Sequence, residues 1–201
     1  QCLINIHLSK RIEIGGYFEL ELPQTQRKES RPLLFNSGRS ALSFLLQIQE
    51  IKKVWLPSYT CEVVLEPIKL LGISFEFYTI GLDLLPANDF KELDENTAVL
   101  INNYYGILEN EISKLPYLNN AIVDNSQSHY STVVGGFGAF NSFRKFFGVP
   151  DGAEAFITKT VHPTYFSFKR YAALEKTAHL LGRIETSARE FYPEYQKNDE
   201  A

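Results

Sequence analysis

A chain of 201 residues, 44% hydrophobic and 13% aromatic, can form one substantial domain with a well-filled core, and two domains of ordinary size are not expected. The net charge is -4 and the 20 lysines and arginines are scattered, so nothing indicates a nucleic-acid or membrane surface. Cys2 and Cys61 lie far apart without metal-ligand spacing, so we interpret them as free thiols and expect a cytoplasmic protein.

The chain divides into three parts. Residues 1–32 alternate short apolar and polar pieces and become charged from residue 24 to residue 31, which predicts an N-terminal arm or hairpin. Residues 33–163 form the main domain. Residues 164–201 are a polar tail with a predicted helix from about Ser167 to Glu190 and with Pro193 beyond it.

Short apolar strands alternate with helical segments from Leu33 onward. This alternation predicts an α/β fold with three αβα layers, in which helices cover both faces of a mainly parallel sheet. The predicted strands are 33–35, 54–56, 73–80, 98–101, 121–123, 137–140 and 155–157. The predicted helices are 40–50, 60–71 with Thr60 as its cap, 88–93 and 111–115.

Polar clusters follow several of these strands. Because ligands on parallel sheets bind at the carboxyl ends of strands, we expect the clusters to surround one site. They are residues 37–40, 58–61, 102–106, 124–129 and 142–145.

Lys145 is the candidate nucleophile among these clusters. Its neighbours Phe143, Phe146 and Phe147 are expected to exclude water and to lower the pKa of the lysine, which would leave a reactive amine near neutral pH. The alternative is a strand end with a solvated Arg144-Lys145 pair before a turn.

Two further positions could bind a charged ligand. Gly38, Arg39 and Ser40 open a predicted helix and could bind a phosphate there, or could be an ordinary helix start. Asp124 directly follows a strand and could pair with a protonated pyridine nitrogen, or could be a turn aspartate.

Two other motifs carry less weight. The Ser142-x-x-Lys145 spacing occurs in penicillin-binding serine hydrolases, but here it follows a strand and no Lys-Thr-Gly occurs. The glycines at 135, 136 and 138 resemble a dinucleotide-binding motif but precede a strand instead of a helix.

Together these segments resemble the DegT/DnrJ/EryC1/StrS group of pyridoxal-phosphate-dependent aminotransferases, which have fold type I. The resemblance covers residues 33 to about 158 and keeps the family's order. The matching segments are 36–42, 56–60, 105–106, 124–128 and 142–145, followed by Gly-Val-Pro-Asp-Gly.

The resemblance implies pyridoxal 5′-phosphate as cofactor and an amino acid and a nucleotide-linked keto sugar as substrates. Lys145 would be the catalytic lysine, Asp124 the partner of the pyridine nitrogen, and Gln127 a contact on the ring oxygen side. The phosphate-binding residues would be Gly38, Arg39, Ser40 and Ser142. Fold type I sites usually lie at a dimer interface, so we expect a homodimer, with neither nucleic acid nor membrane as partner.

Two departures from the family pattern stand out. Cys61 occupies the position of the aromatic residue that commonly stacks on the pyridine, so Tyr59 or Tyr105 would replace it. The family's small C-terminal domain is missing beyond Ala201, so we expect the large domain only, either as a fragment of a longer protein or as a reduced relative of the family. The alternatives are a pyridoxal-phosphate enzyme of another reaction type, such as a lyase, and a catalytically silent module that serves dimerisation or binding.

Overall fold

The computed structural model of the protein describes residues 32–90, 93–158, 177 and 188–200. Apart from Pro32, the predicted arm over residues 1–32 lies outside these ranges, as does most of the predicted tail. Within the tail, helix α4 (Ala188–Glu200) includes Pro193, so the prediction that the helix ends before this proline is wrong.

Among the described residues, no helix combines the length and the apolar character that a membrane crossing requires.

Seven strands form one sheet in the order β1-β7-β6-β5-β4-β2-β3. The pairs among β2, β3, β4, β5 and β6 are parallel, and β7 is antiparallel to both β6 and β1. The prediction of a mainly parallel sheet is therefore confirmed. The strands are β1 (Leu33–Phe35), β2 (Lys53–Pro57), β3 (Ser74–Tyr78), β4 (Thr97–Asn102), β5 (Ala121–Asp124), β6 (Gly138–Ser142) and β7 (Ala153–Phe156).

One face of the sheet is covered by α1 (Gly38–Ile48) and α2 (Leu65–Leu70). Helix α1 begins after Ser37, whose hydroxyl accepts a hydrogen bond from the Ser40 backbone N–H (3.3 Å). Its apolar residues fall on one stripe at helical spacing, so they are buried together against the sheet. The buried residues are Ala41, Leu42, Phe44, Leu45 and Leu46.

The other face has less helix than the sequence predicts. Among the residues that the structure describes, it carries only α3 (Glu109–Ile112) as an α-helix, and residues 88–90 and 93 are not helical. The ring of Phe90 instead packs edge-on against Tyr117 (4.8 Å between ring centroids), Tyr78 (5.4 Å) and Trp55 (5.6 Å). These aromatic contacts hold the partly buried Phe90 ring against the core and override the weak helical pattern of the segment.

The segment after β2 also differs from its prediction. It begins as a 3-10 turn over Glu62–Val64, preceded by Cys61, and continues as α2. Thr60 is not the cap, because its hydroxyl accepts a hydrogen bond from the Asn102 side chain instead (3.1 Å). The connection after β2 is thus tied to the end of β4.

The glycines before β6 allow two chain segments to touch. The backbone N–H of Gly136 donates to the carbonyl of Leu118 (2.8 Å), and a Cβ atom on Gly136 would collide with the carbonyl oxygen of Asn119. Close backbone approach explains this glycine pair better than dinucleotide binding does.

We therefore expect Gly136→Ala to lower the free energy of unfolding by about 1–3 kcal/mol, because the methyl group has to displace backbone atoms. Gly148→Ala is the matched control, since a Cβ atom there meets nothing within 4 Å, and we expect it to change stability by less than about 0.5 kcal/mol. Urea unfolding of both variants measures the difference. Equal stabilities would contradict this account of the glycine pair.

Candidate functional site

A cleft opens at the carboxyl ends of the central strands. Strand β3, which follows β2 in the chain, lies on one side of β2 in the sheet, whereas β5, which follows β4, lies on the opposite side of β4. The strand order therefore reverses between the neighbouring strands β2 and β4. Ligands on open α/β sheets bind at such a reversal. The cleft has a volume of about 800 Å³, which is within the usual range for small-molecule sites.

Asp124 ends β5 and lines this cleft. One of its carboxylate oxygens accepts a hydrogen bond from the backbone N–H of Ser126 (2.8 Å). Burial raises the pKa of Asp124, while hydrogen bonds from Ser126 and the charge of Lys145 act in the opposite direction. Asp124 is therefore a carboxylate that a second cation in the cleft would stabilise.

Lys145 lies in the 3-10 turn Phe143–Lys145 that follows β6, and it also lines the cleft. Its side chain is exposed, so the expectation that three phenylalanine rings enclose it is wrong. Those rings pack around His129 instead, with ring centroids 4.9 Å (Phe147) and 5.6 Å (Phe143 and Phe146) from the imidazole. The tight turn directs the lysine away from its aromatic neighbours.

The start of α1 lines the cleft beside the end of β6. Gly38 packs against β6, where an added Cβ atom would lie 3.6 Å from the Phe140 ring and 3.7 Å from the Ser142 side chain. The first N–H groups of a helix have no partner within the helix, so this end favours an anion. The guanidinium of Arg39 pairs with Glu66 (2.7 Å), which places a carboxylate beside the predicted phosphate site.

Tyrosines form the wall beside β2. The Tyr59 ring stacks on the Tyr104 ring (5.5 Å between centroids), and the Tyr104 hydroxyl donates to the Tyr59 carbonyl. Burial raises the pKa of Tyr104 to about 12, so this residue remains a neutral donor. Tyr105 is exposed and hydrogen-bonded to Tyr59. Cys61 is exposed at the cleft and has no disulfide partner.

The structure brings most of the predicted site residues together. Two of them do not line the cleft: Tyr105, and Ser40, whose hydroxyl donates to the Asn36 side chain (2.7 Å). The residues that do line it are Gly38, Arg39, Tyr59, Cys61, Asp124, Gln127, Ser142 and Lys145. Within the described ranges, no three His, Cys, Asp or Glu residues are placed to hold a metal ion.

Sequence reasoning gave no role to several residues that line the cleft. Glu66 lies 27 residues from Arg39, so no local pattern predicts their ion pair. Asn102 belongs to the predicted strand-end cluster 102–106, so its position after a strand indicated a site residue, but nothing in the sequence favoured it over its neighbours. The lining residues without a predicted role include Glu66, Asn102, Asn103, Tyr104 and Arg144.

The raised pKa of Asp124 has a consequence for stability. Because folding raises this pKa, the folded state binds the proton more tightly than the unfolded state does. At a pH above the folded-state pKa, Asp124 is ionised and its charge destabilises the unliganded protein. We expect Asp124→Asn to raise the melting temperature of the unliganded protein at pH 7. The gain should disappear as the pH falls below the ordinary pKa of aspartate, and calorimetry across this range measures it. A lower melting temperature at pH 7 would contradict the expectation.

No protein-family model and no curated protein matches the sequence. Solved structures do match. BacF from Bacillus subtilis, in a substrate-bound structure, is 14% identical over 84% of this chain and 52% of BacF, with a TM-score of 0.51. NtdA from Bacillus subtilis, with bound cofactor PMP, is 17% identical over 66% of this chain and 34% of NtdA, with a TM-score of 0.52.

The chain thus spans 52% of one of these structures and 34% of the other. At such identities the likeness concerns the fold. The shared architecture, a mainly parallel sheet with helices, is that of a fold type I large domain.

Proposed function

We propose that this chain is the cofactor-binding domain of a pyridoxal-phosphate-dependent aminotransferase. The observation that carries the proposal is that a lysine amine, a partly buried carboxylate and a helix N-terminus line one cleft at the reversal of the strand order. The PMP bound to NtdA, a protein of the same fold, supports this choice of cofactor. In this proposal residues 33–163 are the cofactor-binding domain, residues 1–32 an arm and residues 164–201 the beginning of a further part.

The cleft suits the chemical groups of pyridoxal phosphate. The N-terminus of α1 at Gly38, with the Ser142 side chain beside it, would hold the phosphate. Asp124 would hold the protonated ring nitrogen, because a cation there offsets the cost of burying its charge. Arg39 would contribute to the phosphate site, where Glu66 sets its orientation.

Pyridoxal phosphate, when bound, supplies a conjugated ring that accepts the electron pair released at the substrate Cα. The Nζ amine of Lys145 is exposed in the cleft and is therefore accessible to a carbonyl carbon. After substrate binding, the same amine would carry the proton from and to Cα. Tyr59 would cover one face of the ring, since Cys61 cannot stack.

The charges of the cleft support an anionic or zwitterionic substrate. Arg144 and Lys145 lie together on the turn after β6 and line the cleft. Two cations on one wall would attract the carboxylate of an amino-acid donor and the phosphates of a nucleotide-linked keto sugar. This substrate pair rests on the resemblance described above.

We expect pyridoxal phosphate to form a covalent adduct with Lys145 that colours the protein yellow and that borohydride fixes on this residue. Lys145→Ala should abolish both the colour and the adduct while the circular dichroism spectrum stays unchanged. Lys114→Ala, which removes an exposed lysine elsewhere, is the matched control and should leave both intact.

Peptide mapping by mass spectrometry after borohydride treatment identifies the modified lysine. A wild-type protein that stays colourless with excess cofactor, or that is labelled at other lysines only, would show that the enzyme proposal is wrong. The silent binding module would then be the better interpretation.

We also expect a homodimer that covers part of the cleft rim. Exposed apolar side chains lie in the segments that follow β2 and β4, and burying them against a second copy removes them from water. They include Tyr59, Val63, Tyr105 and Ile107. Light scattering measures the mass, and Ile107→Asp should shift the equilibrium toward monomer. A wild-type monomer at high micromolar concentration would count against this expectation.

A further inference from the structure

The Asn102 side chain is held in one orientation at the end of β4. Its amide nitrogen donates to the Thr60 hydroxyl (3.1 Å) and to the Tyr59 carbonyl oxygen (3.4 Å). The carbonyl oxygen of Tyr59 can only accept hydrogen bonds, so the reversed orientation of the amide would place two acceptors against each other. The nitrogen therefore faces Thr60 and Tyr59.

The orientation of the nitrogen determines where the amide oxygen lies. Strand β4 lies between β2 and β5 in the sheet, and Tyr59 and Thr60 directly follow β2. Because the two branches of a planar amide diverge, the oxygen of Asn102 points away from Thr60 and Tyr59. Asp124 is the register partner of Asn102 on β5, and neighbouring residues in register point to the same face of a sheet.

The amide oxygen of Asn102 is buried, and none of the residues that the structure describes forms a hydrogen bond with it. An unpaired buried acceptor destabilises a protein by about 1–3 kcal/mol. Its neighbour across the strands is a carboxylate, which also only accepts when it is ionised. Two such acceptors repel each other unless a hydrogen atom lies between them.

The charged and titratable groups around Asp124 come from three directions. Lys145 approaches from the turn after β6, and Tyr104 lies above the end of β4. Arg144 lines the same cleft, and Arg39 and Glu66 neutralise each other at the start of α1. Burial outweighs the attraction of Lys145, so the protonated carboxyl group is favoured relative to an exposed aspartate.

We propose that Asn102 is a positioning residue for Asp124, and that its amide oxygen and one carboxyl oxygen of Asp124 share a single donor hydrogen. When Asp124 is protonated in the empty cleft, this hydrogen is the carboxyl proton. In the occupied cleft it is the N–H of a cationic nitrogen on the ligand. Asn102 thus links the Thr60 turn to the carboxyl group and fixes the direction in which that group receives a ligand.

The exchange needs no additional reactant. A ligand that arrives with a neutral ring nitrogen takes the proton of Asp124, which leaves a carboxylate and an N–H cation in contact. A ligand that arrives protonated releases the Asp124 proton to solvent. The identity of the ligand rests on the proposed function, whereas the pairing of Asn102 with Asp124 in the empty cleft does not.

Carbon-13 NMR titration of the unliganded protein tests the pairing directly. The Asp124 carboxyl signal is assigned by its loss in Asp124→Asn, and the Asn102 side-chain carbonyl signal should titrate with the same midpoint. Asn102→Ala should move the Asp124 midpoint to lower pH, because the protonated form loses its acceptor. Asn102→Asp should move it to higher pH, because a second carboxylate disfavours ionisation.

Two further variants separate this role from a general effect on the fold. Asn120→Ala removes an amide that donates to the Asp94 carbonyl, which precedes β4 (2.9 Å), and it should leave the Asp124 midpoint unchanged. Thr60→Val removes a partner of the Asn102 nitrogen and loosens the orientation of the amide, so it should move the Asp124 midpoint to lower pH by less than Asn102→Ala does. The proposal is wrong if Asn102→Ala also leaves it unchanged, or if the Asn102 carbonyl signal does not follow Asp124. Neither outcome depends on Lys145 or on any cofactor.

Discussion

The parallel register of β2, β4 and β5 is the constraint on which the site depends. Because the three strands run in the same direction, the polar residues that follow them meet at one edge of the sheet. The reversal of strand order between β2 and β4 separates their connections and leaves a cleft between them. Thr60, Asn102 and Asp124 therefore lie across neighbouring strands, although about 20 to 40 residues separate them in the chain.

The apolar core makes this arrangement rigid. Helices α1 and α2 bury one face of the sheet, and an aromatic group centred on Phe90 buries the other. The cleft floor is consequently built on strands that are buried on both faces, so burial acts on Asp124. The same burial that raises the pKa of this carboxyl group would make it an effective partner for a cationic ring nitrogen. The burial of the strands therefore both stabilises the fold and raises the pKa of Asp124 in the cleft.

Both the fold and the approximate position of the site could be predicted from the sequence, whereas the detailed contacts could not. The apolar strand segments and the amphipathic pattern of α1 are local features, and they identify all seven strands and the helix that opens the cleft. The predicted helix at 88–93 failed because the Phe90 ring packs against three distant aromatic residues. The predicted cap at Thr60 failed because Asn102 binds its hydroxyl.

The sequence by itself determined the α/β fold, the strand-end location of the polar clusters and the candidates Asp124 and Lys145, since these follow from periodicity and from neighbours along the chain. Only the tertiary structure decided that the phenylalanines surround His129 and leave Lys145 exposed, that Glu66 pairs with Arg39, and that Asn102 lies between Thr60 and Asp124. Contacts of this kind depend on strand order, register and side-chain direction. Strand order, register and side-chain direction result from the packing of the whole sheet, so a pattern of neighbouring residues in the chain does not predict them.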